Sequence, residues 1–345
     1  MPYAESDEDA RPLLLPLARA QGALVRLETA AAAASHAVRE GLRARLAFRE
    51  AAGWLAHHGH WIHPLDLALR EAGLTGSYAA ASLGQRLPSV LPATTRTAAE
   101  AGTADLLPDD QDIALALTVA RLWRRLGEQR TWRPLETPEA LATALTPLGK
   151  TAPPAILHDR LHRLTQLPDL PPLLIAATIA RDWHDTGLPV RSRSDFASAK
   201  TGRSDRLSLP GCFLAAAVWQ ADGGNALPLW SAPVQRLHRL ALQPRHGWLA
   251  SFLGAVADAA QQAGQELARL QRAEARAAAL TRTARSRLPE AAAQALRRPV
   301  ITARLLATAL GVSHRAALGL TGQLAAAGII REATGRAAWR AFAVV

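Results

Sequence analysis

Four histidines crowd the segment HHGHWIH, as His57, His58, His60 and His63. Imidazole is the commonest metal ligand among side chains, so zinc or nickel could be held there. The segment has no cysteine or suitably spaced acid to complete such a site, and histidines clustered in this way are more often exposed rings at a helix end. A second pair, His158 and His162 in HDRLH, stands one helical turn apart with Asp159 between them. This imitates the H-E-x-x-H helix of metalloproteases, whose glutamate is the general base. Aspartate reaches less far and would misplace that base, and no third ligand follows at a fixed distance. A solvated basic helix face is the plainer reading, and no metal or other cofactor is expected. The run RSRSDFASAKTGRSDR offers Arg191, Arg193, Lys200, Arg203 and Arg206 to nucleic acid. Its interleaved Ser and Asp suit a flexible loop just as well, and no G-x-x-x-x-G-K phosphate loop is present.

The most coherent constellation lies at the C-terminal end. Ser313, His314, Arg315 and Leu318 fall at the start of a short helical stretch, and Arg331, Arg336 and Arg340 follow in alternating sequence. Arginine attracts phosphate, and the first residues of a helix set behind a tight turn can reach base edges in a major groove. Double-stranded DNA is the expected partner. The same surface could instead serve protein contact or dimerisation, with a second copy of the chain as a candidate partner.

The elements that must present these residues are legible in the local grammar. LPEAAAQALRRP is a first helix, stopped by Pro299. ITARLLATALG is a second, with Leu305, Leu306 and Leu310 on one face and Gly311 as its stop. Ser313 caps a third helix running from about His314 to Ala327. Ala317, Leu320 and Leu324 are expected on its buried side, with His314, Arg315, Leu318, Gly319 and Gly322 outward. IIREATGRAAWRAFAV then alternates, turns at Thr334-Gly335 and alternates again, which is a β-hairpin and hence a wing.

Composition agrees with an acidic partner. The chain has 345 residues and a formal net charge of +11. Lys150 and Lys200 are the only lysines, so the basicity is nearly all arginine, a bias that a GC-rich genome also produces. Its location is therefore more informative than its total. From Arg287 onward eight arginines stand against Glu290 and Glu332. The single cysteine, Cys212, excludes an intrachain disulfide. The acidic N-terminus does not read as a secretory leader, and the longest apolar stretch, near Leu173–Ala180, is far short of the roughly 20 residues of a membrane span. No membrane partner and a cytoplasmic location are expected.

Alanine and leucine dominate and aromatics are only 5%, so the chain is expected to be mainly α. Residues 1–10 read as a disordered tail, 11–83 as an N-terminal helical region, and 84–110 as a linker or loop rich in Pro, Thr and Gly. A helical body covers 111–285, with the proline-then-helix pattern repeated at PEALATALTPLG, PPAILHDRLHRLTQL and PPLLIAATIARDWHDTG. It closes in one long amphipathic helix from about Trp248 to Arg285. Residues 286–345 form the winged helix-turn-helix. The nine tryptophans, among them Trp54, Trp123, Trp219 and Trp248, sit in apolar helical patterns and read as core or interface anchors.

From Leu227 onward the order of signals resembles the C-terminal half of Fic-family proteins. LPLWSAP matches their "LYLS"-like stretch, GWLASFLGAVADAA their long helix, and ITARLLATALGVS the opening of their terminal helix-turn-helix. The segment SHAVREGLRARLAFREAAGWLAHHGHWIHPLDLALREAG resembles a bacterial family that pairs a domain of unknown function with the same terminal module. Together these cover about half the chain. The resemblance implies a multi-helix Fic-like bundle ahead of the winged module. Fic enzymes transfer AMP through an HPFxDGNGRxGR motif, with the histidine as base, the acidic residue on magnesium and the glycines cradling phosphate. Aligning the preceding helix puts Trp183 on the family's aromatic and Gly187 where the base belongs. LPVRSRSDF follows without a glycine loop, His184 falls three residues early, and His63-Pro64 is followed by LDLALREAG. The implied activity is therefore none. The expectation is a DNA-binding protein, a transcriptional regulator with a catalytically degenerate body. A divergent nucleotidyl (AMP) transferase and a protein-binding adaptor are the alternatives.

Overall fold

The computed structural model describes residues 7–57, 62–74, 110–128, 133–146, 155–167, 170–185, 209–224, 227–230, 245–280, 286–334 and 340–345. It is mainly helical. The chain forms two compact units, each assembled from two segments: Met1–Thr29 with Thr118–Gln262, and Ala30–Leu117 with Ala263–Val345. Residues far apart in sequence therefore share a core in both.

In the first unit, helices α1 (Asp7–Ala33) and α4 (Asp110–Glu128) contribute one part each, followed by α5 (Pro138–Leu145), α6 (Ala155–Thr165), α7 (Pro172–Asp185) and α8 (Leu209–Ala221). Helix α1 opens within the stretch read from sequence as a tail. Proline opens α5 and α7, where its missing N–H costs nothing. From Pro210 to Gln220 every residue of α8 but Val218 is buried, as an alanine-rich helix with apolar residues all round must be. It packs on α7, and Gly211 permits the close approach, since a Cβ there would stand 3.0 Å from Trp183 Cβ. Leu141, Leu145, Leu161, Leu164, Ile175, Ile179 and Trp183 form one core cluster with Leu214. Trp123 meets the ring of Phe213 edge-on at 5.4 Å.

In the second unit, α2 (His36–His57) and α3 (Pro64–Glu71) join the end of the long helix α9 (Arg245–Ala278) and the C-terminal module. That module is α10 (Leu288–Arg297), β1 (Ile301–Thr302), α11 (Ala303–Leu310), α12 (His314–Ala326), β2 (Ile330–Glu332) and β3 (Ala341–Val344). The strands form an antiparallel sheet in the order β1-β3-β2, with Ile301 beside Phe342 and Arg331 beside Ala343. Leu306, Leu310, Leu324, Ile329, Ile330 and Val344 are buried beneath it, each burial worth about 1.5–3 kcal/mol. Helix α10 lies across α2, and Gly41 is required at the crossing because a Cβ would fall 2.0 Å from the Leu296 carbonyl oxygen. Arg45 occupies the same crossing. Its guanidinium donates to the carbonyls of Gly41, Leu296, Ala295 and Arg298, so it caps the C-terminal end of α10 where helix carbonyls lack partners.

Candidate nucleic-acid interface

Three residues, Gly311 to Ser313, separate α11 from α12. Thr302 opens α11 by accepting the Leu305 N–H at 3.1 Å. Gly311 ends it at φ +63°, in the left-handed region where a side chain is strained. Ser313 opens α12, its hydroxyl accepting the Ala316 N–H at 3.2 Å. The far end closes with Gly328 at φ +64°: Gly328 N–H bonds the Ala325 carbonyl and Ile329 N–H the Leu324 carbonyl, both at 3.0 Å. This is a Schellman closure.

Helix α12 buries Ala317, Thr321 and Leu324. Leu320, expected inside, is half-buried, and Thr321 takes the inner place with its hydroxyl donating to the Leu318 carbonyl at 2.9 Å. Internal pairing lets the small threonine stand where the larger leucine is turned toward the rim. His314, Arg315, Leu318, Gly319 and Gly322 are exposed, Leu318 at 49%. A Cβ added at Gly319 or Gly322 would meet nothing within 4 Å.

The arginines divide into two groups. Arg287 pairs with Glu290 and donates to the Leu310 carbonyl, Arg297 pairs with Glu40, and Arg340 stands 3.6 Å from Glu332. These side chains are engaged within the unit. Arg298, Arg304 and Arg315 have no acidic partner among the described residues, and all three are exposed. Arg331, on β2, is exposed and also lines a pocket. Arg336 lies outside the described residues. The site read from sequence is thus brought together in part: Ser313, His314, Arg315 and Leu318 share the first turns of α12, and Arg340 is paired, while Arg304, at the start of α11, is a further exposed arginine without an acidic partner among the described residues.

Of the other constellations, the histidines whose side chains are described have structural partners. Of the HHGHWIH histidines, His63 is described: its Nδ1 accepts the Leu65 N–H at 3.1 Å and caps α3. His57 is described in backbone alone, and His58 and His60 lie outside the described residues. His158 is buried in α6 with its ring stacked on His162 at 5.9 Å, and His162 Nδ1 bonds the Leu135 carbonyl. No group of three or more His, Cys, Asp or Glu among the described residues could hold a metal ion. No described helix is long and apolar enough to cross a membrane. The basic run 191–206 and the position of Gly187 lie outside the described residues.

Two capped helices joined by a three-residue turn, with a third helix behind and a small antiparallel sheet beside them, define a helix-turn-helix module. Residues 288–345 match a family described as HTH DNA binding domain, and the boundaries of that match coincide with α10 and the end of the sheet. A search of curated proteins finds no match to the chain.

Proposed function

We propose that this chain binds double-stranded DNA through a winged helix-turn-helix and acts as a transcriptional regulator. The observation that carries the reading is the exposed first half of α12 on a module similar to an HTH DNA-binding domain, with Arg315 and Arg304 unmatched by acid. In this reading α12 enters the major groove with Ser313, His314, Arg315 and Leu318 nearest the bases, and the β2–β3 hairpin is the wing. Arg340 and Arg336 meet phosphate, Arg340 after release from Glu332. Glycines offer nothing to a base edge, so affinity comes largely from arginine–phosphate attraction and is strongly salt-dependent.

The body upstream is, in the same reading, a Fic-like scaffold without transferase chemistry. Its buried carboxylate, Asp182 on α7, is held by Arg160 at 2.9 Å and Arg245 at 3.2 Å and so is committed to structure. Fluorescence polarisation with a mixed genomic duplex tests the DNA reading. Binding at low salt, weakened in Arg315→Gln with a salt slope smaller by about one, is expected. No binding by the wild-type chain at low salt defeats it, and label transferred from ATP to protein would overturn the inactive body.

A further inference from the structure

Within the second unit a pocket of about 360 Å³ opens between α2, the start of α3, α9 and the β2–β3 strands. Its polar wall is Arg45, Arg49, His63, Glu266, Arg269, Arg331 and Glu332. Four arginines there face two carboxylates, and neither carboxylate is spare. Glu266 is shared by Arg45 at 3.4 Å and Arg269 at 2.8 Å, and Glu332 is held by Arg340. Arg49 and Arg331 have no charged partner among the described residues. Arg269 keeps a buried Nε–H with no hydrogen-bond acceptor among them. A buried donor left open in a cationic wall is a position for an incoming oxygen.

The remaining wall is apolar, with Phe48, Pro64, Leu65 and Pro299. The volume lies at the small end of the roughly 300–1,000 Å³ typical of ligand sites. On the strands, consecutive residues reach the pocket, Arg331 and Glu332 from β2 with Ala343 and Val344 from β3, and Arg331 stands beside its register partner Ala343. Arg331 therefore belongs to this cleft as much as to any outer surface.

We propose that this pocket binds a small organic anion, one carrying a phosphate or carboxylate head on a compact apolar body. The head lies among Arg49, Arg269 and Arg331, and the body rests against Phe48 and Pro64. Because Arg331 is on β2, occupancy holds the hairpin against α2 and α9. Resting on the DNA-binding reading, this makes the anion an effector that alters DNA affinity; the binding itself does not depend on that reading.

Isothermal titration of the full chain with phenyl phosphate, benzoate and inorganic phosphate, at ionic strength fixed with chloride, tests it. Saturable one-to-one binding is expected, tighter for phenyl phosphate than for inorganic phosphate. Arg49→Gln and Arg331→Gln, both away from the tightly buried core, should each weaken it about tenfold, the scale of one charge-assisted hydrogen bond, and Arg315→Gln should leave it unchanged. The absence of saturable heat with all three probes up to about 10 mM overturns the proposal. So does binding undiminished in both pocket variants, or competitive displacement of phenyl phosphate by duplex DNA, which would assign these arginines to the DNA backbone. Anion binding by a chain that binds no duplex would overturn the DNA reading and leave the pocket standing.

Discussion

The guanidinium of Arg45 donates to the Leu296 carbonyl oxygen at 2.7 Å, and this contact fastens the helix-turn-helix module to α2. The two residues are 251 positions apart in sequence. Burial pulls Arg45 down to about 10, with Glu266 pulling it back up and Arg269 pressing it further down, so it stays charged at neutral pH. Arg45→Met should therefore be severe. It strands the carbonyls of Leu296 and Arg298 and leaves Glu266 with Arg269 alone, for a loss of about 3–5 kcal/mol. Gly41→Ala at the same crossing should cost at least about 1–3 kcal/mol, because backbone and not a flexible side chain blocks the added carbon. Urea denaturation of both variants, followed by far-UV circular dichroism, measures these losses.

Asp182 and its two arginines should respond asymmetrically. The carboxylate is fully buried, whereas the side chains of Arg160 and Arg245 are 43% and 30% exposed. Asp182→Asn lets both cations turn to water, and the expected loss is about 1–2 kcal/mol, that of ordinary hydrogen bonds. Arg160→Gln with Arg245→Gln strands a buried charge instead and should cost about 3–5 kcal/mol. Comparing denaturation midpoints decides it; equal losses would mean that the carboxylate has other support.

The helix-turn-helix module, matched over residues 288–345, is readable in sequence because its signals are local. Thr302, Ser313, Gly311 and Gly328 each act within five residues of their own position, on caps whose chemistry is the same in any fold. The anion pocket is not readable. Arg45 and Arg49 come from α2, His63 from the turn before α3, Glu266 and Arg269 from α9, and Arg331 from β2, and nothing in their spacing joins them. Arginine is also a surface residue by habit, so a buried one such as Arg45 has no sequence mark. Leu320 and Thr321 show the same limit on a smaller scale, since adjacent positions at the edge of a helical face differ by packing alone. The two-segment makeup of each unit is hidden for the first reason: periodicity identifies helices but not which helices meet.

His63 gives the second unit a pH dependence. Burial holds its imidazole below the ordinary histidine range, against the opposing pull of Asp66. The unfolded chain, with an ordinary value of about 6.5, takes up a proton before the folded chain does. Stability is thus fully present above about pH 6.5 and declines as pH falls below it. Protonation also removes the Nδ1 lone pair that accepts the Leu65 N–H. His63→Asn keeps a good helix cap without a titrating group. Its stability relative to wild type should therefore rise between about pH 7 and about pH 5. A constant difference across that range would show that the histidine titrates alike in the folded and the unfolded chain, and so feels no burial in the folded one.

Gly319 and Gly322 separate stability from recognition. Each lies inside α12 on its exposed face, and a Cβ at either would meet nothing within 4 Å. Glycine in a helix interior costs about 0.5–1 kcal/mol relative to alanine, through the freedom that it loses on folding. No packing in the unit offsets that cost at these two positions. The double substitution Gly319→Ala with Gly322→Ala should accordingly raise stability by about 1–2 kcal/mol, read as a higher urea midpoint with an unchanged slope. If α12 lies deep in a major groove, the two methyl groups stand between helix and DNA, and affinity for the mixed duplex should fall although the protein is more stable. A variant that gains stability and keeps its full affinity would remove this face of α12 from the interface, leaving the contact to Arg315 and the strands.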